Sequence, residues 1–316
     1  MPGFILALLH LLALMLGFTP DASAIDFTYA PIVVPGGTAT AAYGINNAGQ
    51  IVGSVDTTTG TQAFVDSGGT FTTFAAPGAD QTIAMGINNS GQVVGRASDG
   101  TNPTQGFLYS GGTLTTINNP TGTGEYLEAS GINDGGQIVG FFETSGNSTG
   151  FHGYVLRPDG TFSFLDVPDS TSTFANGINN AGQIVGRFYD SPGSLQHGFL
   201  YSGGVYSPFN GPGSMSSITE ITGINNAGQI VGTFYDGTTT RSFLYSNNAF
   251  SIITVPGSAL TVVSGINDAG QLVGTIFTGG GPEGFVASPV PLPTSLLLFT
   301  SGLMGLRILL SRRRRD

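Results

Sequence analysis

Four charged side chains are the residues of this chain that could do chemistry, because they interrupt a repeating pattern that is otherwise poor in charge. Glu128 and Glu220 occupy one shared position in two different repeats, and Arg96 and Arg187 occupy another. Two carboxylates can perform glycosidase-type catalysis when they lie roughly 5 to 10 Å apart. The same four groups could instead frame a site for a polar ligand, or they could be solvated loop charges.

No other residues form a catalytic or metal-binding pattern. His152 and His197 lie at equivalent positions of two repeats, without a neighbouring nucleophile or metal-ligand spacing, so we interpret them as structural. Asn- and Asp-rich turns offer oxygen ligands for Ca²⁺. Each turn usually has one Asp or none, however, which favours the interpretation that these residues only stabilise the turn backbone. The chain has no Cys. We therefore predict no catalytic residue, no metal and no cofactor.

Charge is distributed unevenly along the 316 residues. The chain contains nine Lys and Arg residues against 19 Asp and Glu residues, and five of the nine cations lie in the last ten positions. The body of the chain is therefore strongly acidic. Nucleic-acid binding requires Lys and Arg to neutralise phosphates, so this composition excludes it. The 51 Gly and 17 Pro residues, with only 9% charged residues, are typical of turn-rich β structure.

One segment of ten residues recurs six times. It reads GINNAGQIVG in three copies, and GINNSGQVVG, GINDGGQIVG and GINDAGQLVG in the others. The copies begin at Gly44, Gly86, Gly131, Gly177, Gly223 and Gly265. Their spacing of about 44 residues falls in the range expected for the blades of a β-propeller.

Each repeat can be divided into four strands. The first strand ends at Gly-Ile-Asn and a tight turn follows. We expect its Gly to take a positive φ and its second residue, always Asn or Asp, to cap its own backbone. The sixth repeat lacks a fourth strand, and the segment from Phe27 to Val34 can supply one beside Glu283 to Ala287. The sequence predicts an all-β fold, a six-bladed propeller of four-stranded blades over residues 25–289.

The repeat resembles the family of extracellular repeats named HAF, after the residues His-Ala-Phe of the third strand. The GINxxGQxVG hairpin is the other feature of that family, and the three-residue motif is present here as Gln62-Ala63-Phe64 and His197-Gly198-Phe199. The resemblance spans about residues 26–289. It implies an extracellular setting and no established activity.

Residues 1–24 have the features of a secretory signal peptide. An apolar stretch from Phe4 to Gly17 precedes Ala22-Ser23-Ala24, a small-residue site typical of cleavage after Ala24. A membrane anchor is the alternative, but the apolar stretch is shorter than the ~20 residues that a span requires.

Residues 290–316 have the features of a sorting tail. Val290-Pro291-Leu292-Pro293 precedes an apolar stretch from Leu296 to Leu310, which predicts a transmembrane helix, and four Arg residues follow. Arg clusters remain on the cytoplasmic side of membranes. This tail resembles the PEP-CTERM signal, with Leu292 at the position of that family's Glu. The resemblance implies processing by a protease of the exosortase type. A wall-sorting motif is a weaker match.

These observations predict an exported, non-enzymatic protein of the cell surface or extracellular matrix. We expect it to be held in the inner membrane by its C-terminal helix until it is processed, and to bind extracellular polysaccharide or add structure. One alternative is a propeller enzyme that acts on a carbohydrate or a lactone through Glu128 and Glu220. Another is an adhesion or signalling module that binds a protein.

Overall fold

A computed structural model describes residues 26–122, 126–144, 150–190, 196–212 and 218–290. Over these ranges the chain forms 24 β-strands. They are arranged, propeller-like, in four sheets of four strands and one sheet of eight. The all-β prediction is confirmed.

The four-stranded sheets follow the repeats in sequence. The strands of three of them are β10 (Leu127–Ile132), β11 (Ile138–Glu143), β12 (Phe151–Leu156) and β13 (Phe162–Phe164); β14 (Ser172–Ile178), β15 (Ile184–Tyr189), β16 (Gln196–Ser202) and β17 (Val205–Phe209); β18 (Thr219–Ile224), β19 (Ile230–Tyr235), β20 (Thr240–Ser246) and β21 (Ala249–Ile253). The fourth contains β22 (Leu260–Ile266), β23 (Leu272–Thr278), β24 (Gly281–Pro289) and β1 (Phe27–Ile32).

The eight-stranded sheet holds the first two repeats. Its strands are β2 (Ala39–Ile45), β3 (Ile51–Thr57), β4 (Gly60–Ser67), β5 (Thr70–Phe74), β6 (Gln81–Ile87), β7 (Val93–Ser98), β8 (Gln105–Ser110) and β9 (Thr113–Ile117). Strands β2 to β5 form one antiparallel meander and β6 to β9 a second. The two meanders are joined by a single parallel pair, Thr61 with Gln81.

The N-terminal strand completes the sheet of the sixth repeat, as the sequence predicts. β1 pairs antiparallel with β24, from Phe27 opposite Pro289 to Ile32 opposite Gly284. The strand ends two residues before Val34, whose carbonyl oxygen accepts a hydrogen bond from the Gly37 N–H at 3.1 Å and so begins a turn. Pairing distant parts of the chain in this way covers the edge that β24 would otherwise expose.

The two predicted sorting segments fall almost wholly outside the described residues. Ala22, Ala24 and the motif residues after Val290 are in the undescribed parts. The N–H of Val290 donates to the carbonyl oxygen of Asp26 at 2.8 Å. Within the described ranges, no helix has the length and apolar character needed to cross a membrane.

Each repeat contributes one large aromatic side chain to the core from its third strand. These side chains are at most 1% exposed, because each fills the space above a glycine of the second strand. A Cβ on that glycine would lie within 2.2 Å of a carbonyl oxygen of the first strand. The six are Phe64, Phe107, Tyr154, Phe199, Phe243 and Phe285.

The hairpin turns confirm one prediction and correct another. The glycine of the turn has a positive φ, +77° at Gly49 for example. The residue that caps the local backbone is the first Asn and not the second: Asn46 Oδ1 accepts hydrogen bonds from the N–H groups of Ala48 (3.1 Å) and Gln50 (2.9 Å). The side chain of the second residue, Asn47, instead reaches into a neighbouring repeat.

The first Asn of each turn also joins its repeat to the next. Asn46 Nδ2 donates to Gln50 Oε1 within its own turn and to the carbonyl oxygen of Asn88 in the following turn. The same bond recurs five more times, and the last runs from Asn267 to the carbonyl oxygen of Asn46. Six buried side chains therefore form a closed ring of hydrogen bonds, with lengths between 3.0 and 3.2 Å.

A ring of glycines lies beside this ring of Asn side chains. A Cβ on the first glycine of any repeat would lie 3.1 to 3.5 Å from the Cα of the same glycine in the next repeat. The series closes at Gly265, whose Cβ would lie 3.3 Å from the Cα of Gly44. The first strands can thus approach one another only because these positions have no side chain.

Substitution at this ring tests its role in closure. We expect Gly131→Ala to lower the free energy of unfolding by about 1–3 kcal/mol, because its Cβ would lie 3.1 Å from the carbonyl oxygen of Asn176. Gly135→Ala is the matched control, since this turn position is Ala in four of the other repeats. Chemical denaturation measures both variants, and equal stabilities would contradict the proposed constraint.

Candidate ligand-binding site

A cavity on the propeller axis is lined by the first strands of the repeats. In each repeat the pairing of the first two strands shifts by one residue, as between Ala129 and Gly131. This β-bulge leaves the residue before the glycine unpaired, and all six such residues face the cavity. They are Tyr43, Met85, Ser130, Asn176, Thr222 and Ser264.

This channel cavity has a volume of about 370 Å³. Glu128 lies two residues before the bulge residue Ser130, and Glu220 lies two residues before Thr222. Both carboxylates are on the same face of their strands as these bulge residues, and both line the cavity together with Arg187. The structure thus brings three of the four charged residues singled out in the sequence to one site. The remaining lining residues are Tyr126, Phe141, Thr233 and Val262.

Glu128 is the most deeply held of these charges, at 7% exposure. The phenol O–H of Tyr126 donates a hydrogen bond to Glu128 Oε2 at 2.8 Å, and the hydroxyl of Ser130 donates one to Glu128 Oε1 at 3.2 Å. Arg96, which is the fourth charged residue, places Nε 3.1 Å from Oε2 in an ion pair between neighbouring repeats. Burial, and then the negative charge of Glu128, raise the pKa of Tyr126, which keeps the phenol protonated as a donor.

The second ion pair repeats this arrangement two repeats further on. Arg187 Nη1 donates to Glu220 Oε1, and the guanidinium carbon lies 4.3 Å from the centre of the Phe174 ring. A cation over an aromatic face is attracted to it. In both pairs the arginine Nε atom is buried and makes no hydrogen bond of good geometry within the described residues, so Arg96 Nε contacts Glu128 as an ion pair only.

Aromatic residues occupy the wall between the two ion pairs. Phe141 holds the position in the third repeat that Arg96 and Arg187 hold in the second and fourth. Its ring lies parallel to that of Tyr126, with centroids 5.7 Å apart and an angle of 11°, and 4.7 Å from that of Phe174. Tyr126 and Phe141 were not among the residues that we singled out in the sequence. Comparing the repeats position by position would have identified Phe141.

A second cavity adjoins the first on the opposite wall. It has a volume of about 380 Å³ and shares Tyr43, Val262 and Ser264 with the channel cavity. Apart from Asp56, its lining residues are uncharged. The ion pairs are therefore concentrated on the wall formed by the second to fifth repeats, together with Tyr126 and Phe141, whereas Tyr43 and Phe277 are aromatic residues of the opposite wall.

The turns beyond the glycine ring form a separate shallow pocket of about 70 Å³. The backbone N–H of each second turn residue donates to the side-chain Oδ1 of the equivalent residue in the next repeat, at 2.8 or 2.9 Å. These residues, in ring order, are Asn47, Asn89, Asp134, Asn180, Asn226 and Asp268.

The two Asp residues of this outer ring are spaced three repeats apart. Asp134 Oδ2 accepts hydrogen bonds from the amides of Asn89 and Asn180, and Asp268 Oδ2 accepts them from Asn226 and Asn47. Two carboxylates thus accept from all four Asn amides. Burial alone would raise the pKa of each carboxyl, but these bonds outweigh it and hold the pKa of both below the ordinary value.

The two body histidines lie on third strands, away from the channel cavity. His152 Nδ1 is 2.9 Å from Asp166 Oδ2, and its ring is nearly parallel to that of Phe164. His197 Nε2 is 3.6 Å from Asp190 Oδ2. Within the described ranges, no three His, Asp or Glu side chains form a group that could hold a metal ion.

No family model matches this chain, and no curated protein matches it. Solved structures do match. TolB from Acinetobacter baumannii is 14% identical, with a TM-score of 0.51 over 81% of this chain and 65% of its own. A lectin from Aleuria aurantia in complex with Fucα1-6GlcNAc is 13% identical, with a TM-score of 0.50 over 81% and 97%. AofleA from Arthrobotrys oligospora is 11% identical, with a TM-score of 0.50 over 80% and 84%.

At these identities the likeness shows the fold alone. The fold is propeller-like. It assigns no ligand or activity to the channel cavity.

The outer ring predicts a pH dependence of stability. Because the folded-state pKa values of Asp134 and Asp268 are lowered, their stabilisation is complete above the unfolded-state value of about 3.9 and is lost as the pH falls below it. We expect the double variant Asp134→Asn, Asp268→Asn to be less stable at pH 7 and to lose part of the decline in stability at acid pH.

Thermal unfolding between pH 7 and pH 2.5 measures this effect. Asp169→Asn is the control, because Asp169 is exposed and has a φ of 62°, which Asn also adopts. If the double variant kept the pH slope of the unmodified protein, the ring carboxylates would not be its source.

Proposed function

We propose that this chain is an exported, non-enzymatic binding module of the cell surface or matrix, folded as a six-bladed propeller whose channel cavity takes a polar ligand. The blade count divides the eight-stranded sheet into two blades, because one residue pair, Thr61 with Gln81, is all that joins its meanders. The partner that we propose is extracellular polysaccharide.

The observation that carries this proposal is that both carboxylates are already bonded to neighbouring side chains. Both oxygens of Glu128 already accept hydrogen bonds, from Tyr126 and Ser130, and Glu220 is paired with Arg187. A general acid or base must exchange a proton with its substrate. Carboxylates that are held by neighbouring donors are better suited to orient a ligand than to protonate one.

Export is supported by the two ends of the chain. Residues 1–24 read as a signal peptide and residues 290–316 resemble a PEP-CTERM tail, which a protease of the exosortase type would process. The strongly acidic body is compatible with an extracellular role. A lectin that binds Fucα1-6GlcNAc has a similar fold, so such a scaffold can carry a saccharide site.

The sorting proposal predicts two cleavages. We expect the native protein to lose residues near Ala24 and near Pro291 and to reach the cell surface or the medium. The double variant Pro291→Ala, Pro293→Ala should keep its tail and remain in the membrane fraction. Intact mass and fractionation measure both forms. A tail that persists on the unmodified protein would mean a membrane-anchored ectodomain without sorting.

A carbohydrate- or lactone-acting enzyme is the second candidate, because Glu128 and Glu220 line one cavity. We expect the unmodified protein to produce no new reducing ends from oligosaccharides and no ring opening of lactones. Glu128→Gln and Glu220→Gln are the matched variants. Turnover by the unmodified protein that is lost in both variants would replace the binding module with the enzyme.

A further inference from the structure

We infer that the channel cavity binds the terminal ring of a neutral, hydroxyl-rich saccharide end-on, with two adjacent hydroxyl groups on the Arg187–Glu220 pair. This inference rests on the proposed binding function and specifies its ligand. Three features of the cavity carry it, namely its balanced charge, its aromatic wall and its closed inner end.

The charges at the cavity cancel in pairs. Glu128 is balanced by Arg96, and Glu220 by Arg187. An anionic ligand would meet the carboxylates of Glu128 and Glu220, and a cationic ligand would meet the guanidinium group of Arg187, the arginine that lines the cavity. A neutral ligand meets neither repulsion.

Adjacent hydroxyl groups match the free hydrogen-bonding capacity of the second pair. Glu220 uses Oε1 to contact Arg187 and is about one-third exposed, so its carboxylate can accept a bond from a ligand hydroxyl. Arg187 lines the cavity and its side chain is about one-fifth exposed, so its guanidinium group, which carries several N–H donors, can donate to the oxygen of a second hydroxyl. A hydroxyl both donates and accepts, so a vicinal pair can satisfy both residues at once.

The cavity also has an aromatic wall, formed by the half-buried Tyr126 and by Phe141, which is 7% exposed. Tyr126 and Phe141 are parallel and both line the cavity. The C–H face of a saccharide ring is apolar and packs against aromatic rings, while its hydroxyl groups point outward. A site with aromatic residues on one side and a donor and acceptor pair on the other suits a polyol better than an apolar ligand.

The inner end of the cavity is closed to a polymer. The six glycines pack so tightly that a Cβ on any of them would lie within 3.5 Å of the next Cα. The shallow pocket of the turns beyond them shares no lining residue with the channel cavity. The glycine ring thus separates two cavities that have no lining residue in common, which favours a chain end or a branch over a polymer that passes through.

Binding of the full chain to an array of oligosaccharides tests the inference. The probes have two to six rings and are attached through their reducing ends, in neutral series and in matched series with a uronic acid as the terminal ring. We expect at least one neutral series to bind, with affinity that stops rising after about three rings since only the end is held. The uronic acid should weaken binding about tenfold or more, by repulsion from the carboxylates.

Two variants assign the site. Glu220→Gln should weaken binding about tenfold, and the exchange Arg187→Glu with Glu220→Arg should abolish it while the thermal midpoint shows that the fold persists. Asp236→Asn is the control, because Asp236 forms an exposed ion pair with Arg241 outside the cavity. Its binding should equal that of the unmodified protein.

Each contrary result has a separate meaning. Affinity that grows with every added ring would overturn end-on binding, and a preference for uronic acid ends would overturn the neutral ligand. Undiminished binding in the folded exchange variant would place the ligand elsewhere. A protein that is exported but binds no saccharide overturns this inference and the proposed polysaccharide partner and leaves the surface location standing, whereas one that binds saccharide but is not exported overturns the proposed surface location.

Discussion

The rest of the structure depends on a single kind of hydrogen bond, from the side-chain amide of the first turn Asn to the backbone of the next repeat. Asn46 makes four bonds, two as acceptor and two as donor, so its buried amide has no unpaired group. An Asp would lose both donors, and a Ser would reach too few partners. Because the same residue shapes the hairpin and ties the repeats together, it is identical in all six copies, whereas the two turn positions after it vary.

Closure of this ring turns a linear repeat into an architecture with two different ends. At the turn end, every amide and carboxylate is committed to a neighbour, and Asp134 and Asp268 each accept from two flanking Asn side chains. A ring of six Asn residues would have surplus donors facing one another. Two acidic residues three repeats apart remove that surplus, which gives the ring a two-fold pattern that no single repeat contains.

Turns and strand pairings that follow from the repeat pattern could be predicted from the sequence, whereas side-chain contacts between repeats could not. The hairpin glycines and the pairing of Phe27 with the last strand follow from pattern and from the missing fourth strand of the sixth repeat. The role of the second turn residue did not follow, because its partner is 42 to 46 residues away in sequence, or 221 where the ring closes, and is adjacent only in the folded protein. The pairing of Arg96 with Glu128 was equally hidden, since it depends on how neighbouring sheets are staggered.

The wall of the channel cavity is asymmetric because the residues that hold the repeats together are not the residues that line the wall. One position of the second strand contacts one position of the next repeat's first strand three times in succession, as Arg96 with Glu128, Phe141 with Phe174, and Arg187 with Glu220. The backbone geometry is repeated and only the side chains differ. Since the Asn and Gly rings already hold the repeats together, the side chains at these positions are not needed to join them and can differ between repeats. Charges placed there cost desolvation unless they are paired, and so the wall carries ion pairs and aromatic contacts in place of isolated charges.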